Sequence, residues 1–301
     1  MQEKIKLYVE SLRLTRWPRS LAIIPGFLAF FVLQPKFTHT LIDFSSILRL
    51  LIAFFLTWFI STANYIVNEI TDAPFDAFHP SKKNRPLVKN KIDKKILMSI
   101  WFLLVTISLL ISFEIFNIQF VICLISLLIA GIIYNVPPIR VKDIPFLDST
   151  IESINNPIRF LIGWYIMTEN FPTVTILISW WFFGNFLMVG KRVAEKKFLT
   201  EKESSGYRIS LKKYSLKMLI TFMILNAIIF IVSLSIFTIE SKLNSFLFSI
   251  PFIFIYLLMF MKKSIKDIEG AEEPERLLKN PYFAFYTLFI AIIFIIAYIY
   301  R

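Results

Sequence analysis

Long apolar runs alternate with short polar or basic loops along almost the whole chain. A helical run of about 20 mostly apolar residues spans a bilayer, because each residue adds about 1.5 Å to the helix. We count nine such runs, at residues 20–35, 47–67, 96–116, 118–134, 151–168, 173–189, 218–238, 243–261 and 281–300. The pattern predicts an all-α integral membrane protein with about nine transmembrane helices. Since no linker separates the runs, it also predicts a single transmembrane domain over residues 1–301.

Composition and charge agree with this class and suggest an orientation. The chain is 56% hydrophobic, with a mean hydropathy of +0.66, which excludes an ordinary soluble domain. Most of its 33 Lys and Arg residues lie near the N-terminus and in alternate loops. Basic short loops stay in the cytoplasm, so we expect the N-terminus and these loops to face the cytoplasm from the inner membrane. The net charge of +12 then indicates anionic lipids or substrates as partners, and no nucleic acid.

Three oxygen-bearing side chains follow the second apolar run at intervals of four residues. Asn68, Asp72 and Asp76 would share one face of a helix. Glu69 lies beside them, and Pro74 is expected to bend or end the helix near the last acid. Carboxylates that converge at a membrane edge repel one another unless a cation neutralises them, and oxygen ligands of this kind suit Mg²⁺. The spacing therefore predicts a magnesium site, with a solvated helix end as the simpler alternative.

A basic segment bounded by prolines comes next, and residues 79–86 read HPSKKNRP. Lys82 and Arg85 are predicted to bind phosphate oxygens that a metal leaves uncovered, although membrane anchoring would also use such cations. For His79 a structural hydrogen bond or loop cap is favoured over a role as metal ligand. Near the N-terminus, an interfacial anchor is predicted from Arg13, Arg16, Trp17 and Arg19.

The acidic motif, preceded by Tyr65 and followed by Arg85-Pro86, resembles the first motif of the UbiA-type prenyltransferase superfamily. The resemblance covers nearly the whole chain. It implies helices around a central intramembrane cavity that is open to the cytoplasm, with a phosphorylated isoprenoid as one substrate. It also implies that Asn68, Asp72 and Asp76 hold Mg²⁺, that both aspartates take part in catalysis, and that Tyr65 has an orienting role.

The second motif departs from that of the prenyl-transferring members, which carry further aspartates after the sixth helix. Here no Asp occurs between Asp148 and Asp267, and the corresponding place reads Lys191-Arg192-x₂-Glu195. On a helix the glutamate can orient both cations, which precede it by four and three residues. The sequence thus predicts a cationic phosphate-binding site in place of a second metal site, with a solvated salt bridge as the alternative.

The same run is similar to one branch of the superfamily, the decaprenyl-phosphate phosphoribosyltransferases. The stretch from Asp76 through His79, Lys82 and Arg85 resembles that branch as well. Arg208-x₂-Leu211-x₂-Tyr214 follows the second motif downstream as part of the same match. A third match is Arg159 with Gly163, and a weaker one is Tyr134 with Lys142. The branch implies transfer of 5-phosphoribose from 5-phosphoribosyl 1-diphosphate to a polyprenyl phosphate of the cell envelope, with release of pyrophosphate. We expect Mg²⁺ on the diphosphate and four cations on the remaining phosphates: Lys82, Arg85, Lys191 and Arg192.

Polar side chains also interrupt the fifth apolar run, at Glu152, Asn155, Asn156 and Arg159. An ion inside hydrocarbon costs at least ~2.5–3.5 kcal/mol, so such residues usually face a polar cavity. Arg159 is therefore a further candidate for phosphate binding, and a structural Glu152–Arg159 pair is the alternative.

Two other functions are compatible with parts of the sequence. Transfer of a prenyl group from a prenyl diphosphate to an aromatic or other small acceptor would call for two metal motifs, and the chain has one. A transporter or channel would place its charged residues at the membrane midplane, whereas here they gather at the predicted cytoplasmic ends of the helices.

Overall fold

The computed structural model describes residues 2–33, 43–78, 82–198, 209–266 and 280–300, in which every regular element is helical. The α-helices are α1 (Gln2–Ser11), α2 (Ile24–Leu33), α3 (Phe44–Asp76), α4 (Lys94–Ile115), α5 (Ile118–Asn135), α6 (Leu147–Ser153), α7 (Asn155–Trp164), α8 (Val174–Phe198), α9 (Ile209–Lys213), α10 (Leu216–Glu240), α11 (Ile250–Lys266) and α12 (Pro281–Ile299). Short 3₁₀ segments occupy Leu14–Ile23, Lys82–Asn84, Val141–Asp143 and Asn244–Ser249.

Eight helical segments in the described ranges are long and apolar enough to cross a membrane. They are Gln2–Leu33, Phe44–Asp76, Lys94–Ile115, Ile118–Asn135, Val174–Phe198, Leu216–Glu240, Asn244–Lys266 and Pro281–Ile299. Their outward-facing side chains are largely aliphatic or aromatic, as expected of surfaces that lie against lipid acyl chains. The predicted class, an all-α integral membrane protein, is confirmed.

The fifth predicted run, residues 151–168, differs from the expectation of a continuous span. It is divided between α6, which ends at Ser153, and α7, which covers Asn155–Trp164. Pro157 has no N–H group to donate to the carbonyl group four residues earlier, which weakens a continuous helix at the junction of α6 and α7. The polar interruption recognised in the sequence is thus also a break in the helix.

Contacts divide the chain into two compact units. The first unit comprises Met1–Phe171 and Thr200–Lys212, and the second comprises Pro172–Leu199 and Lys213–Arg301. In the first, α3 packs against α4 and α5, and α7 packs against α2 and α5. In the second, α8 packs along α10 and against α11. A single catalytic domain over the whole chain stays a prediction.

Two glycines let α2 and α7 approach until their backbones touch. A Cβ atom added to Gly26 would lie 1.9 Å from the carbonyl oxygen of Phe160. One added to Gly163 would lie 1.8 Å from the carbonyl oxygen of Ile23. Small residues commonly permit such close crossings between membrane helices. This crossing fixes the N-terminal segment against the helix that carries Arg159.

We predict that Gly163→Ala destabilises the protein, because its methyl group would collide with a backbone carbonyl that cannot move independently. Overpacking of this kind typically costs about 1–3 kcal/mol. The measurement is the unfolding temperature in detergent, which should fall clearly below that of the wild type. Leu110→Ala, at a position on α4 that is 63% exposed, is the control and should leave that temperature nearly unchanged. Equal unfolding temperatures for the Gly163→Ala variant and the wild type would contradict the crossing.

Candidate functional site

The long helix α3 carries the predicted acidic motif to its C-terminal end. Its N-terminus is capped by Asp43, whose side chain accepts a hydrogen bond of 2.8 Å from a backbone N–H. Pro74 does not end the helix, since α3 continues to Asp76. Proline has no N–H group, so the last turn of the helix lacks one backbone hydrogen bond. Asn68, Asp72 and Asp76 therefore follow one another at successive turns of one continuous helix.

Asp72 is neutralised by two cations from the loop between α5 and α6. Arg140 Nη2 donates to Asp72 Oδ1 at 3.1 Å, and Lys142 Nζ makes a shorter hydrogen bond to the same oxygen. Arg140 also donates through Nε to Asp143 Oδ2 at 2.8 Å, and its guanidinium lies 4.1 Å from the ring centre of Phe75. Both cations are buried. Because a buried cation needs a partner, this contact links the loop firmly to the motif helix.

Asn68 is held by an amide network that reaches the same lysine. Asn68 Nδ2 donates to Asn135 Oδ1 at 2.7 Å, and Lys142 Nζ donates to that oxygen at 2.9 Å. Asn135 Nδ2 in turn donates to the Gly131 carbonyl at 2.8 Å. With its nitrogen committed to Asn135, Asn68 presents its amide oxygen on the opposite side of the planar group.

A second ionic group surrounds Glu69, which is 2% exposed. Arg13 Nη2 lies 2.5 Å from Glu69 Oε2, and Arg85 Nη1 lies 3.5 Å from the same oxygen. Arg85 also forms a short ion pair with the buried carboxylate of Asp76. Tyr65, predicted to be an orienting residue, places its ring centre 6.0 Å from Arg13 Cζ. The group ties the N-terminal segment, α3 and the basic loop together.

The structure corrects the prediction that Arg13 belongs to an interfacial anchor. Its side chain is only 15% exposed and faces Glu69. Its backbone is left-handed, with φ of 51°, and Arg140 has φ of 32°. Residues other than glycine adopt this conformation only at a cost of about 1–2 kcal/mol. Both arginines nevertheless adopt it, and each points its guanidinium at an acid of α3.

The residues of the first motif have the donor chemistry for Mg²⁺. The amide oxygen of Asn68 and the partly exposed carboxylate of Asp72 are hard oxygen donors, and waters commonly complete such a site. Asp76 is fully buried and paired with Arg85, so its use as a ligand requires that pair to loosen. In the described ranges, no group of three His, Cys, Asp or Glu side chains is arranged to hold a metal. An amide oxygen and carboxylate oxygens are ligands that suit an ion which keeps several waters.

The interrupted fifth run contributes a further polar group to the first unit. Tyr134 on α5 donates its hydroxyl hydrogen to Glu152 Oε2 at 2.8 Å, and Arg159 Nη2 donates to Ser61 Oγ at 3.3 Å. Ser61 precedes Asp72 by 11 residues, which corresponds to roughly 16 Å along the helix. Arg159 therefore lies at a different level of α3 from the Asp72 cluster.

The second unit holds the predicted cationic motif on α8. Arg192 Nη1 donates to Glu195 Oε2 at 2.8 Å, and both side chains are fully buried. Lys191, one position earlier, is half-buried. The predicted orientation of Arg192 by Glu195 corresponds to a direct hydrogen bond, while the half-exposed cation of the motif is the lysine.

Some predicted residues lie outside the part of the chain that the structure describes. They are His79, the side chain of Lys82, and Arg208. Conversely, no sequence pattern indicates Arg140 or Asn135 as site residues, and only a weak family match indicates Lys142. Their neighbouring prolines and their distance of more than 60 residues from the acids concealed the contact.

The fold and this polar helix end define a helical membrane protein whose candidate site consists of acids, amides and cations. A model of the UbiA prenyltransferase family matches residues 22–287. The chain belongs to that family, a family of membrane transferases, and the predicted superfamily is confirmed.

Solved structures of the family are similar to this chain over almost its full length. A UbiA homolog from Archaeoglobus fulgidus bound to GPP and Mg²⁺ is 20% identical with a TM-score of 0.69, and the match covers 97% of this chain and 99% of that one. The same homolog bound to DMAPP and Mg²⁺ is 19% identical at 0.69, covering 96% and 98%. A digeranylgeranylglyceryl phosphate synthase is 20% identical at 0.61, covering 99% and 96%. At such identities the similarity shows the fold alone. No curated protein matched the sequence.

We predict that Glu69→Leu destabilises the protein, because it leaves Arg13 buried without its acid. Breaking a buried ion pair from one side typically costs about 3–5 kcal/mol. The double variant Arg13→Leu/Glu69→Leu removes both charges and keeps Arg85 paired with Asp76. Its unfolding temperature in detergent should therefore lie above that of the single variant. If the double variant is the less stable of the two, Glu69 does not serve to neutralise Arg13.

Proposed function

We propose that this protein transfers 5-phosphoribose from 5-phosphoribosyl 1-diphosphate to a polyprenyl phosphate and releases pyrophosphate. The observation that carries the proposal is the second motif. Where prenyl-transferring relatives are expected to carry aspartates, this chain has Lys191, Arg192 and Glu195, and no Asp occurs from residue 149 to 266. A donor with a diphosphate at one end and a phosphate at the other calls for one metal and several cations.

The first motif is assigned to the diphosphate of the donor. Asn68 and Asp72 would hold Mg²⁺, together with Asp76 once Arg85 releases it. When bound, the ion neutralises charge on the departing pyrophosphate. Arg140 and Lys142 hold the Asp72 carboxylate in place, and Asn135 fixes the amide of Asn68. These contacts pre-organise the motif before the substrate arrives.

The transfer itself needs little further chemistry from the protein. An oxygen of the acceptor phosphate attacks C1 of the ribose as the bond from C1 to the pyrophosphate oxygen breaks. The pyrophosphate leaves with that electron pair. Because the attacking oxygen is already anionic, no strong general base is required. This is consistent with a site whose described side chains are acids, amides and cations.

The cations are assigned to phosphate oxygens that the metal does not cover. Arg85 is held between Glu69 and Asp76, so its guanidinium lies beside the first motif and would reach a phosphate once its pair with Asp76 loosens. Lys191 is the half-exposed cation of the second motif, and Arg192, held by Glu195, adds positive potential from a buried position. Two further assignments are Lys82 and Arg159.

Prenyl transfer from a prenyl diphosphate to a small acceptor is the second candidate. Its support is the family itself, together with solved relatives that bind GPP or DMAPP with Mg²⁺. Both functions would use the first motif to bind a diphosphate. They differ in the role of the second motif and in the group attached to the diphosphate, which is a ribose in one case and an isoprenoid chain in the other.

The protein is an integral membrane protein, and we propose that it lies in the inner membrane with its active site facing the cytoplasm. The basic N-terminus and alternate basic loops support this orientation. It also gives the water-soluble donor direct access, while the lipid acceptor arrives from the bilayer.

The first test supplies purified protein with labelled 5-phosphoribosyl diphosphate and a polyprenyl phosphate. We predict labelled lipid and pyrophosphate in the presence of Mg²⁺, and a loss of both on chelation. Labelled geranyl diphosphate with a small aromatic acceptor is the parallel assay. Product only in that second assay would replace the proposed function with prenyl transfer.

A second test separates the role of Asp72 from simple charge balance. Asp72→Asn should lower the rate by on the order of 10²-fold or more, since it weakens the stabilisation of the leaving group. Asp143→Asn is the matched control, because Asp143 also accepts a hydrogen bond from Arg140 but lies outside the motif. Equal losses in the two variants would indicate that Asp72 serves only to neutralise Arg140.

A further inference from the structure

Glu152 is one of several polar residues that interrupt the fifth apolar run, and its contacts lead to the acidic motif. Its Oε2 atom accepts a 2.8 Å hydrogen bond from Tyr134. The ring centre of Tyr134 lies 5.9 Å from Lys142 Nζ, and that ammonium group is hydrogen-bonded to Asp72. Glu152 is thus three contacts away from Asp72, at the same end of the first unit.

Asn155 adds an acceptor that the protein leaves unsatisfied. Its Nδ2 atom donates to the Glu152 carbonyl oxygen at 3.0 Å. Its Oδ1 atom is buried and, in the described part of the chain, receives no hydrogen bond. A buried acceptor without a hydrogen bond is unfavourable, so a ligand that supplies a donor there gains affinity.

The two side chains are acceptors, and this determines the kind of group they recognise. A carboxylate can accept about four hydrogen bonds, and Tyr134 supplies one of them to Glu152. Carboxylates of this kind bind the hydroxyl groups of ribose in other proteins. An isoprenoid chain has no donor to offer and would lie against an ionised group in a region of low polarity.

The order in which these side chains lie, from Asp72 to Arg159, agrees with the order of the polar groups in a phosphoribosyl donor. Asp72 lies at one end of this series. Tyr134 connects it to Glu152, Asn155 lies beside Glu152, and Arg159 follows Asn155 by one helical turn. Arg159 reaches Ser61, roughly 16 Å along α3 from Asp72. Diphosphate, ribose hydroxyls and 5-phosphate occur in that same order in the donor.

We propose that Glu152 and Asn155 form a subsite for sugar hydroxyls, which makes them specificity-determining residues for a ribose-containing donor. The inference rests on the proposed function and assigns the sugar subsite within the same active site. Such a subsite would also explain the break between α6 and α7. Irregular backbone at membrane depth is tolerated where it is buried in protein or lines a polar cavity.

The test is a binding comparison that does not depend on turnover. Ribose 5-phosphate and 2-deoxyribose 5-phosphate displace labelled 5-phosphoribosyl diphosphate from the purified protein without acceptor, and the ratio of their dissociation constants reports the contribution of one hydroxyl group. We expect the wild type to prefer ribose 5-phosphate by roughly tenfold or more. Glu152→Gln and Asn155→Ala should bring that preference close to unity, while Glu169→Gln, an exposed acid after α7, should keep it.

The outcomes distinguish this inference from the proposed function. If the wild type prefers ribose 5-phosphate and both variants keep the preference, the subsite is wrong while the proposed function stands. If the wild type binds neither sugar phosphate but binds geranyl diphosphate, both fail. The Tyr134→Phe variant tests whether Glu152 has only a structural role, because it removes the hydrogen bond to that carboxylate. If that variant and Glu152→Gln lower the unfolding temperature equally and leave the preference intact, Glu152 only supports the helix packing.

Discussion

An ionised side chain within a membrane must meet an opposite charge or a polar cavity, and this requirement organises the first unit. Asp72 lies against Arg140 and Lys142, and Glu69 lies against Arg13 and Arg85. Each acid of α3 thereby draws in a segment that is distant in sequence. The N-terminal segment, the basic loop and the loop after α5 are all fixed to one helix end by charge pairing.

The same pairing places several cations beside the acidic motif. Under the proposed function, these cations would also be partners for phosphate oxygens of a bound donor. Lys142 is central to this arrangement, because it contacts both Asp72 and Asn135 and lies near the ring of Tyr134. Buried ion pairs contribute little net stability, so their value here lies in the positions that they give these side chains.

Elements that leave a local pattern in the sequence could be predicted from it. Apolar runs of membrane length predicted the spans, and the four-residue spacing predicted the shared face of Asn68, Asp72 and Asp76. Residues whose positions depend on contacts between distant parts of the chain could not be predicted. Arg140 is left-handed and follows a pair of prolines, so no periodic pattern connects it with Asp72. Arg13 resembled a surface cation because its buried partner lies 56 residues away. The break between α6 and α7 lies near Pro157, which the hydropathy of the run concealed.

We propose that Mg²⁺ and 5-phosphoribosyl diphosphate bind at the end of α3, where Arg140 and Lys142 contact Asp72. The most direct measurement is an experimental structure of the protein with 5-phosphoribosyl diphosphate and Mg²⁺. We expect metal density beside Asn68 and Asp72, with Lys142 turned from the carboxylate to a phosphate oxygen. Unchanged contacts of Asp72 with Arg140 and Lys142, and a donor bound elsewhere or not at all, would contradict it.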